Sequence, residues 1–185
     1  MIKRVKTIPR AVFEIRPSKL LPGEVSAIAL RNLKKGDLIA DVDAPEEVVW
    51  IHERDFKKLD QVTREKIKHF CILDEDHEYC VPADLNNMGI SWYFNHNCNP
   101  NVDYDKRGSF VAARNIKKGE ELFLDYGRMS TDPKFNMKCA CGASNCRGKI
   151  TGRDWLKPDF RQRHLDAMWP EMKEAAKRLA QKRKK

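Results

Sequence analysis

The stretch YFNHNCNPN, residues 93–101, places an amide, an imidazole and a thiol within a few positions of one another. It is too polar for a core strand and too aromatic for a plain linker. Taken alone, Asn95 and His96 are typical of turn residues whose side chains bond the local backbone. Cys98 adds a thiol to the same loop, so the loop is also a candidate for metal binding.

A second stretch, CACGASNC, carries three cysteines within eight residues: Cys139, Cys141 and Cys146. Gly142 and its small neighbours allow the backbone to wrap tightly around them. Thiolates at this density suit zinc, which takes four soft ligands in a closed tetrahedron. The segment supplies only three ligands, so the fourth must come from elsewhere in the chain. The candidates are Cys71, Cys80 and Cys98.

A third stretch, GEELFLDYG, residues 119–127, predicts a strand that ends at Tyr126 and is stopped by Gly127. A tyrosine at a strand end is most often a core ring whose hydroxyl reaches the surface. This stretch alone therefore leaves Tyr126 either a packing residue or a functional one.

Length, charge and cysteine content restrict the class of protein. The 185 residues are enough for one domain with a sound core, and the formal charge of +9 makes an acidic surface a suitable partner. No apolar run is long enough to span a membrane, and the N-terminal MIKRVKTIPR lacks the apolar core of a signal peptide. We therefore expect a reducing compartment, where the six cysteines are free or metal-bound rather than paired.

The sequence before and between these stretches predicts short strands around one helical insertion. VSAIAL, residues 25–30, and DLIADVD, residues 37–43, are strand-like runs on either side of the turn RNLKKGD. The later RNIKKGE predicts a second hairpin turn of the same kind. Residues 46–70 carry apolar side chains at roughly helical intervals, which predicts a helical insertion, and EYCVPADL, residues 78–85, predicts a further strand.

The C-terminal residues 154–185 have a helical pattern that Pro158 and Pro170 interrupt, and they end in a basic run. Together with the strands, this pattern predicts an α+β fold that is mainly β. No GxGxxG or GxxxxGK[ST] motif is present, so the sequence does not support a dinucleotide-binding or P-loop protein.

The three stretches NHNCNPN, GEELFLDYG and CACGASNC, in this order and spacing, resemble the SET-domain protein-lysine methyltransferases that carry a post-SET zinc segment. The continuation CRGKITGRDW resembles the small stand-alone members found in bacteria. The resemblance implies a SET-domain β-clip of short sheets over residues 11–128, in which the C-terminal motif threads under the NHNC segment as a pseudoknot. It implies a post-SET zinc segment over residues 135–150, followed by a basic helical tail over residues 154–185.

The same resemblance implies a cofactor site and a metal site that share one loop. Asn95 and His96 would hold S-adenosylmethionine, and Cys98 would leave the cofactor loop to complete a structural zinc site. The implied zinc ligands are Cys98, Cys139, Cys141 and Cys146. Glu24-Val25-Ser26 stands where the family usually carries a GxG that approaches the cofactor with its backbone. Val25 and Ser26 are thus expected at the cofactor without the family's glycines, and Gly23 is the nearest substitute.

The resemblance also assigns the methyl-transfer residues. Tyr126 would be the catalytic tyrosine and would contact the cofactor as well. Tyr104 and Leu124 occupy the two positions at which the family lines its lysine channel and limits the number of methyl groups. With leucine at one position and tyrosine at the other, we expect monomethylation that depends on Tyr104.

The implied activity is a protein-lysine N-methyltransferase that transfers a methyl group from S-adenosylmethionine to a lysine ε-amine of a protein, such as a histone or a DNA-packaging protein. The alternative is a catalytically weak, zinc-containing module that binds chromosomal protein or nucleic acid. A weak nucleic-acid contact would use the basic tail. We expect no membrane partner, and a location in the cytoplasm of a bacterium or the nucleus of a eukaryote.

Overall fold

The structure is a computed structural model, and it describes residues 10–41, 47–71, 73–74 and 76–182. The end of the predicted strand 37–43 and the last residues of the basic tail lie outside this part of the chain. The strands are β1 (Phe13–Pro17), β2 (Val25–Ala29), β3 (Leu38–Ala40), β4 (Val48–His52), β5 (Glu78–Pro82), β6 (Asn95–His96), β7 (Val102–Tyr104), β8 (Phe110–Ala112), β9 (Phe123–Leu124), β10 (Asn136–Lys138) and β11 (Lys149–Thr151). The α-helices are α1 (Glu53–Phe56), α2 (Gln61–Phe70), α3 (Pro158–His164) and α4 (Pro170–Lys182). Within the described residues, no helix combines the length and the apolar character that crossing a membrane requires.

The strands pair into small sheets, which confirms the predicted α+β fold that is mainly β. The antiparallel sheets are β1-β2, β4-β5, β10-β11 and the three-stranded β3-β8-β7. One further sheet joins β6 to β9 in parallel, with Asn95 opposite Phe123 and His96 opposite Leu124. Because this pair is parallel, the segment that leads to Tyr126 runs directly beside the NHNC segment.

The main core lies against β2. Ala27 and Ala29 both face it, as expected for a strand whose alternate side chains point to one face. Their small side chains leave room for Phe94, which is only 1% exposed and is the largest fully buried side chain among the described residues. The core therefore packs directly beneath the NHNC segment that follows Phe94.

The two similar turns predicted from RNLKKGD and RNIKKGE contact each other. The backbone groups of Leu33 and Ile116 exchange two hydrogen bonds, at 2.8 and 2.9 Å. Gly36 and Gly119 close the two turns with φ angles of 87° and 85°, in a left-handed conformation that glycine adopts without strain. The predicted hairpins are wrong, because β2 and β3 belong to different sheets, as do β8 and β9. The duplication instead reflects two similar turns between sheets that pack as a pair.

The insertion at residues 46–70 is only partly helical, so this prediction needs correction. Val48–His52 forms β4 and pairs with β5, and only α1 and α2 are helical. The run VVWIH is rich in β-branched and aromatic residues, which favour a strand when a partner strand is available. Further on, Asp60 caps α2 by accepting a hydrogen bond from the backbone N–H of Thr63 at 3.0 Å.

The C-terminal segment is helical, as predicted, and it packs against the rest of the molecule. Pro158 and Pro170 are the first residues of α3 and α4, where the missing N–H of proline removes no helical hydrogen bond. A buried cluster joins the two helices and contains Phe160, Met168, Met172 and Ala176. The Arg147 guanidinium lies 5.1 Å from the centroid of the Phe160 ring. This contact ties the segment to the end of the cysteine cluster.

Candidate active site and metal centre

Tyr126 lies beside the NHNC segment, although not at the end of a strand as predicted. The strand β9 stops at Leu124, and Tyr126 begins a short 3₁₀ turn, Tyr126–Arg128. Its hydroxyl donates a hydrogen bond to the carbonyl oxygen of Phe94 at 2.9 Å, and its backbone N–H donates to Nδ1 of His96 at 3.2 Å. Burial raises the pKa of the Tyr126 phenol well above its usual value. Tyr126 is therefore a neutral phenol that is held in place at both its backbone and its hydroxyl.

Buried ion pairs hold the turn that carries Tyr126. The Asp125 side chain is fully buried and accepts two hydrogen bonds from the Arg147 guanidinium, one of them at 2.8 Å. Burial alone would raise the pKa of Asp125, but Arg147 and then Arg128 outweigh burial and hold this pKa below its usual range. Nε of Arg147 also lies 3.8 Å from a carboxylate oxygen of Asp154. The network connects the tyrosine turn, the cysteine cluster and the C-terminal segment.

The imidazole of His96 is buried and neutral. Burial lowers its pKa to about 4, although the carboxylate of Asp125 acts in the opposite direction. Because Nδ1 accepts the N–H of Tyr126, the proton of the neutral ring sits on Nε2. Nε2 lies 3.4 Å from Sγ of Cys98, to which this N–H can donate. The ring thus lies between Tyr126 and the cysteine cluster.

The geometry of the cysteine cluster fits a structural zinc ion. Sγ of Cys98 lies 3.8 Å from Sγ of Cys139, and the backbone N–H of Cys98 donates to Sγ of Cys141 at 3.5 Å. A tetrahedral zinc with Zn–S bonds of about 2.3 Å holds its sulfurs about 3.8 Å apart. Burial disfavours ionisation of Cys141, but backbone N–H groups of Cys98 and Ala143 outweigh it and lower the pKa of this thiol to about 7. Thiolate character near neutral pH is what a zinc ligand requires.

The fourth ligand of such a zinc has two candidates. The ligand atoms that all lie within 4.8 Å of one another belong to His96, Cys98, Cys139 and Cys141. Cys146, one of the three ligands predicted from the cysteine cluster, is exposed and outside this group, and its Sγ lies 3.9 Å from the carbonyl oxygen of Cys139. Cys71 packs in the separate core of the insertion, which makes it a poor candidate. Since Nε2 of His96 carries a proton, Cys146 supplies the chemically simpler fourth ligand.

A cavity of about 360 Å³ lies beside Tyr126. This volume is in the range of small-molecule sites, about 300–1,000 Å³. Its walls come from the loop before β2, the end of α2 and the cysteine cluster. Four of the residues predicted to bind a cofactor line it: Val25, Asn95, His96 and Tyr126. The cavity is therefore the candidate cofactor site.

The part of the cavity wall at the start of β2 is formed by residues that carry side chains, not by glycines. Nδ2 of Asn95 donates to the carbonyl oxygen of Val25 at 2.8 Å, which joins the NHNC segment to this wall. Ser26 is fully buried, does not line the cavity, and its Oγ has no partner among the described residues. Glu24 does line the cavity and pairs with His69 of α2 at 3.1 Å. Glu24 and Val25 thus form this part of the wall, and the contact with His69 joins it to α2.

Tyr104 and Leu124, the two predicted channel residues, belong to the main core. The Tyr104 hydroxyl donates to Sδ of Met129 at 3.6 Å, and its ring meets Trp169 edge-on with the ring centroids 5.1 Å apart. Burial, followed by the charge of Asp103, raises the pKa of Tyr104 well above its usual value. Neither residue borders the cavity beside Tyr126, so their role in a lysine channel stays a prediction.

The sequence analysis missed four residues that contribute to this region. Arg147 directly follows the third cysteine of the cluster, and no other feature of the sequence indicated a role for it. Lys68 and His69 of α2 line the cavity, and Trp169 covers Tyr104, yet no local pattern in the sequence shows which surface these elements face. Such long-range contacts are not encoded in the spacing of a single element.

The fold and the site together define the class of protein. A family model described as "SET domain" matches residues 25–127, which span more than half of the chain. The matched region runs from β2 through the NHNC segment to the turn at Tyr126. The chain therefore belongs to the SET-domain family.

The relatives of this chain carry names that specify one reaction. It is 34% identical over 126 residues to the Histone-lysine N-methyltransferase trr of Drosophila melanogaster, covering 64% of this chain and 5% of that protein. It is 35% identical over 143 residues to a Histone-lysine N-methyltransferase, H3 lysine-36 specific, of Coccidioides immitis, covering 67% of this chain and 14% of that protein. It is 38% identical over 79 residues to the human Histone-lysine N-methyltransferase 2D, covering 39% of this chain and 1% of that protein. The chain thus spans a small part of the length of each relative.

Proposed function

We propose that this chain is a protein-lysine N-methyltransferase that uses S-adenosylmethionine. The observation that carries the proposal is the cavity at which Asn95, His96 and Tyr126 meet the cysteine cluster. The names of the SET-domain relatives support the same reaction class. When bound, S-adenosylmethionine would supply a sulfonium methyl group that passes to a neutral lysine amine as the C–S bond breaks and S-adenosylhomocysteine leaves.

The chain's own residues supply binding and alignment for this transfer. Asn95 and Val25 form one wall for the cofactor, with their mutual hydrogen bond fixing the wall. Tyr126 remains a neutral phenol at physiological pH because burial raises its pKa, so it positions the reacting groups through its oxygen and does not act as the base. The lysine amine must arrive without its proton, and burial in a channel lowers the pKa of a lysine in the required direction.

Zinc has a structural role in this proposal. Cys98, Cys139 and Cys141, with Cys146 as the fourth ligand, would hold the ion. Cys139 and Cys141 also line the cavity, so ordering the cysteine cluster completes one of its walls. A structural thiolate site couples metal binding to local folding in this way.

The proposed substrate is a lysine in a protein, with histones and DNA-packaging proteins as the first candidates because the relatives are named for histone lysines. A catalytically weak binding module is the less favoured alternative, since Tyr126 and its hydrogen bond to Phe94 are in place. Contact of the basic tail with nucleic acid stays a prediction, as does the compartment. The last residues of that tail, 183–185, lie outside the described residues.

Two measurements test the proposal. Calorimetry with the full chain should show one site for S-adenosylhomocysteine. Incubation with methyl-labelled S-adenosylmethionine and either core histones or a whole-cell lysate should then produce methyl-lysine, identified by mass spectrometry. Binding without any methyl-lysine product would favour the binding module, and absence of both would overturn the proposal.

A further inference from the structure

Glu121 has a buried carboxylate that the proposed mechanism does not use. The backbone of residues 120–122 runs beside β2, with the N–H of Leu122 donating to the carbonyl of Ala27 at 2.8 Å. This pairing leaves the Glu121 side chain only 6% exposed. A carboxylate withdrawn from water needs hydrogen-bond donors to offset its desolvation.

The Glu121 carboxylate accepts hydrogen bonds from two donors in the loop that joins β1 to β2, residues 18–24. Oγ of Ser18 donates to Oε2 of Glu121 at 2.9 Å, and the backbone N–H of Lys19 donates to Oε1. Hydrogen bonds to a charged group are stronger than those between neutral groups. Glu121 therefore fixes the start of the loop.

The effect of this contact extends to the wall of the cavity. Oγ of Ser18 accepts hydrogen bonds from the backbone N–H groups of Leu20 at 3.2 Å and Leu21 at 3.0 Å. The N–H of Ser18 donates to the carbonyl of Glu24 at 2.8 Å, and the N–H of Glu24 donates to the carbonyl of Leu21 at 3.1 Å. Leu21 and Glu24 both line the cavity beside Tyr126. The bonds thus run without interruption from the carboxylate to the cavity wall.

We propose that Glu121 is a positioning residue for the cofactor, acting through Ser18 on the loop 18–24. This inference rests on the proposed use of S-adenosylmethionine. Leu21, Glu24 and Val25 form this part of the cavity wall, and the first two belong to the loop, so the shape of the wall depends on how the loop is held. Glu121 holds the loop without touching the cofactor itself.

The test compares Glu121→Gln and Ser18→Ala with the matched control Glu120→Gln. Glu120 is the neighbouring glutamate, and it pairs with Arg114 at 2.9 Å rather than with the loop. Glutamine keeps the size of Glu121 but offers only one acceptor for the two donors. We expect both loop variants to raise the Kd for S-adenosylhomocysteine about ten-fold, which corresponds to the loss of one charged hydrogen bond. The kcat at saturating cofactor and the KM for the protein substrate should stay within about two-fold of wild type, as should all constants of Glu120→Gln.

Hydrogen exchange in the cofactor-free protein supplies a second readout. The amides of residues 19–24 should exchange faster in both loop variants, while those of β2 stay protected. An unchanged Kd in both variants, or an equal loss of kcat, zinc and overall stability, would overturn the positioning role. A wild-type chain that binds no S-adenosylhomocysteine would overturn the proposed function as well. Normal wild-type binding with unaffected variants would overturn only the role of Glu121.

Discussion

Cys98 links the cavity to the proposed metal centre. The short NHNC segment supplies residues that line the cavity, and it also supplies a thiol for the metal. His96, two positions earlier, faces both: its Nδ1 accepts from Tyr126 and its Nε2 faces Sγ of Cys98. We therefore expect His96 to donate a hydrogen bond to the Cys98 thiolate when zinc is bound, rather than to bind the ion itself. Donors of this kind orient ligands and tune a metal site.

The zinc content of single variants tests which residues are the zinc ligands. Cys98→Ser and Cys146→Ser should each lower the zinc content of the purified protein well below one ion per chain, because a lost thiolate opens the tetrahedron. His96→Gln should retain the zinc, and so should the control Cys80→Ser. Elemental analysis by mass spectrometry measures the content. Zinc retained by Cys146→Ser but lost from His96→Gln would make His96 the fourth ligand.

Tyr104 is the residue at which the degree of methylation is predicted to be set. Its hydroxyl is buried against Met129, and if Tyr104 lines the lysine channel as predicted, removing the hydroxyl would free space for a larger amine. Tyr104→Phe should therefore shift the product from mainly monomethyl-lysine to mainly dimethyl-lysine, as read by mass spectrometry of the peptide. The control Tyr79→Phe removes a hydroxyl in the insertion, where the ring stacks on Phe56, and should leave the ratio unchanged. An unaltered ratio in Tyr104→Phe would remove Tyr104 from this role.

The C-terminal helices α3 and α4 pack on the rest of the molecule and are not a solvated tail. The backbone N–H of Trp169 donates to the carbonyl of Arg128 at 2.9 Å, directly after the tyrosine turn. The Trp169 ring also covers the turn between β7 and β8, since a Cβ placed on Gly108 would lie 3.2 Å from it. Helix α4 thus begins on the surface that backs Tyr104.

Trp169→Ala tests whether this docking stabilises the molecule. Loss of a partly buried tryptophan should lower the free energy of unfolding by about 2 kcal/mol, below the range for a fully buried one. Urea unfolding followed by circular dichroism measures it. Trp50→Ala is the matched control, since Trp50 on β4 is 56% exposed and its loss should cost less than about 0.5 kcal/mol. Equal losses from the two variants would show that α4 does not depend on Trp169.

At the scale of the whole molecule, the sequence predicted the parts that depend on local chemistry. Three closely spaced cysteines, a glycine-closed turn and the spacing of NHNC from DYG are all local patterns, and they indicated the fold class and the family. The strand β4 was missed because the apolar residues of 46–70 also satisfy helical spacing, and only pairing with β5 decides between the two. The contacts of Arg147, Glu121 and Trp169 were not predictable, since each joins segments far apart in the chain.

Removal of zinc should affect cofactor binding in the cavity but not the folding of the main core. Because the cysteine cluster forms one wall of the cavity while the main core lies against β2, chelation should abolish cofactor binding and leave most of the secondary structure intact. Calorimetry with S-adenosylhomocysteine and far-ultraviolet circular dichroism, before and after treatment with a chelator, measure the two effects. Undiminished binding by the zinc-free protein would contradict a structural role for the metal in the cavity.

In the proposed mechanism, Tyr126 aligns a methyl transfer in the cavity beside it. The decisive measurement is single-turnover methylation by wild type and Tyr126→Phe, with cofactor affinity measured alongside. We expect Tyr126→Phe to transfer the methyl group about 10²–10³-fold more slowly, because one preorganised polar group is lost. The variant should keep its fold, its zinc and most of its cofactor affinity, because the ring still packs. Transfer at the wild-type rate by Tyr126→Phe would overturn this mechanism and leave Tyr126 a packing residue.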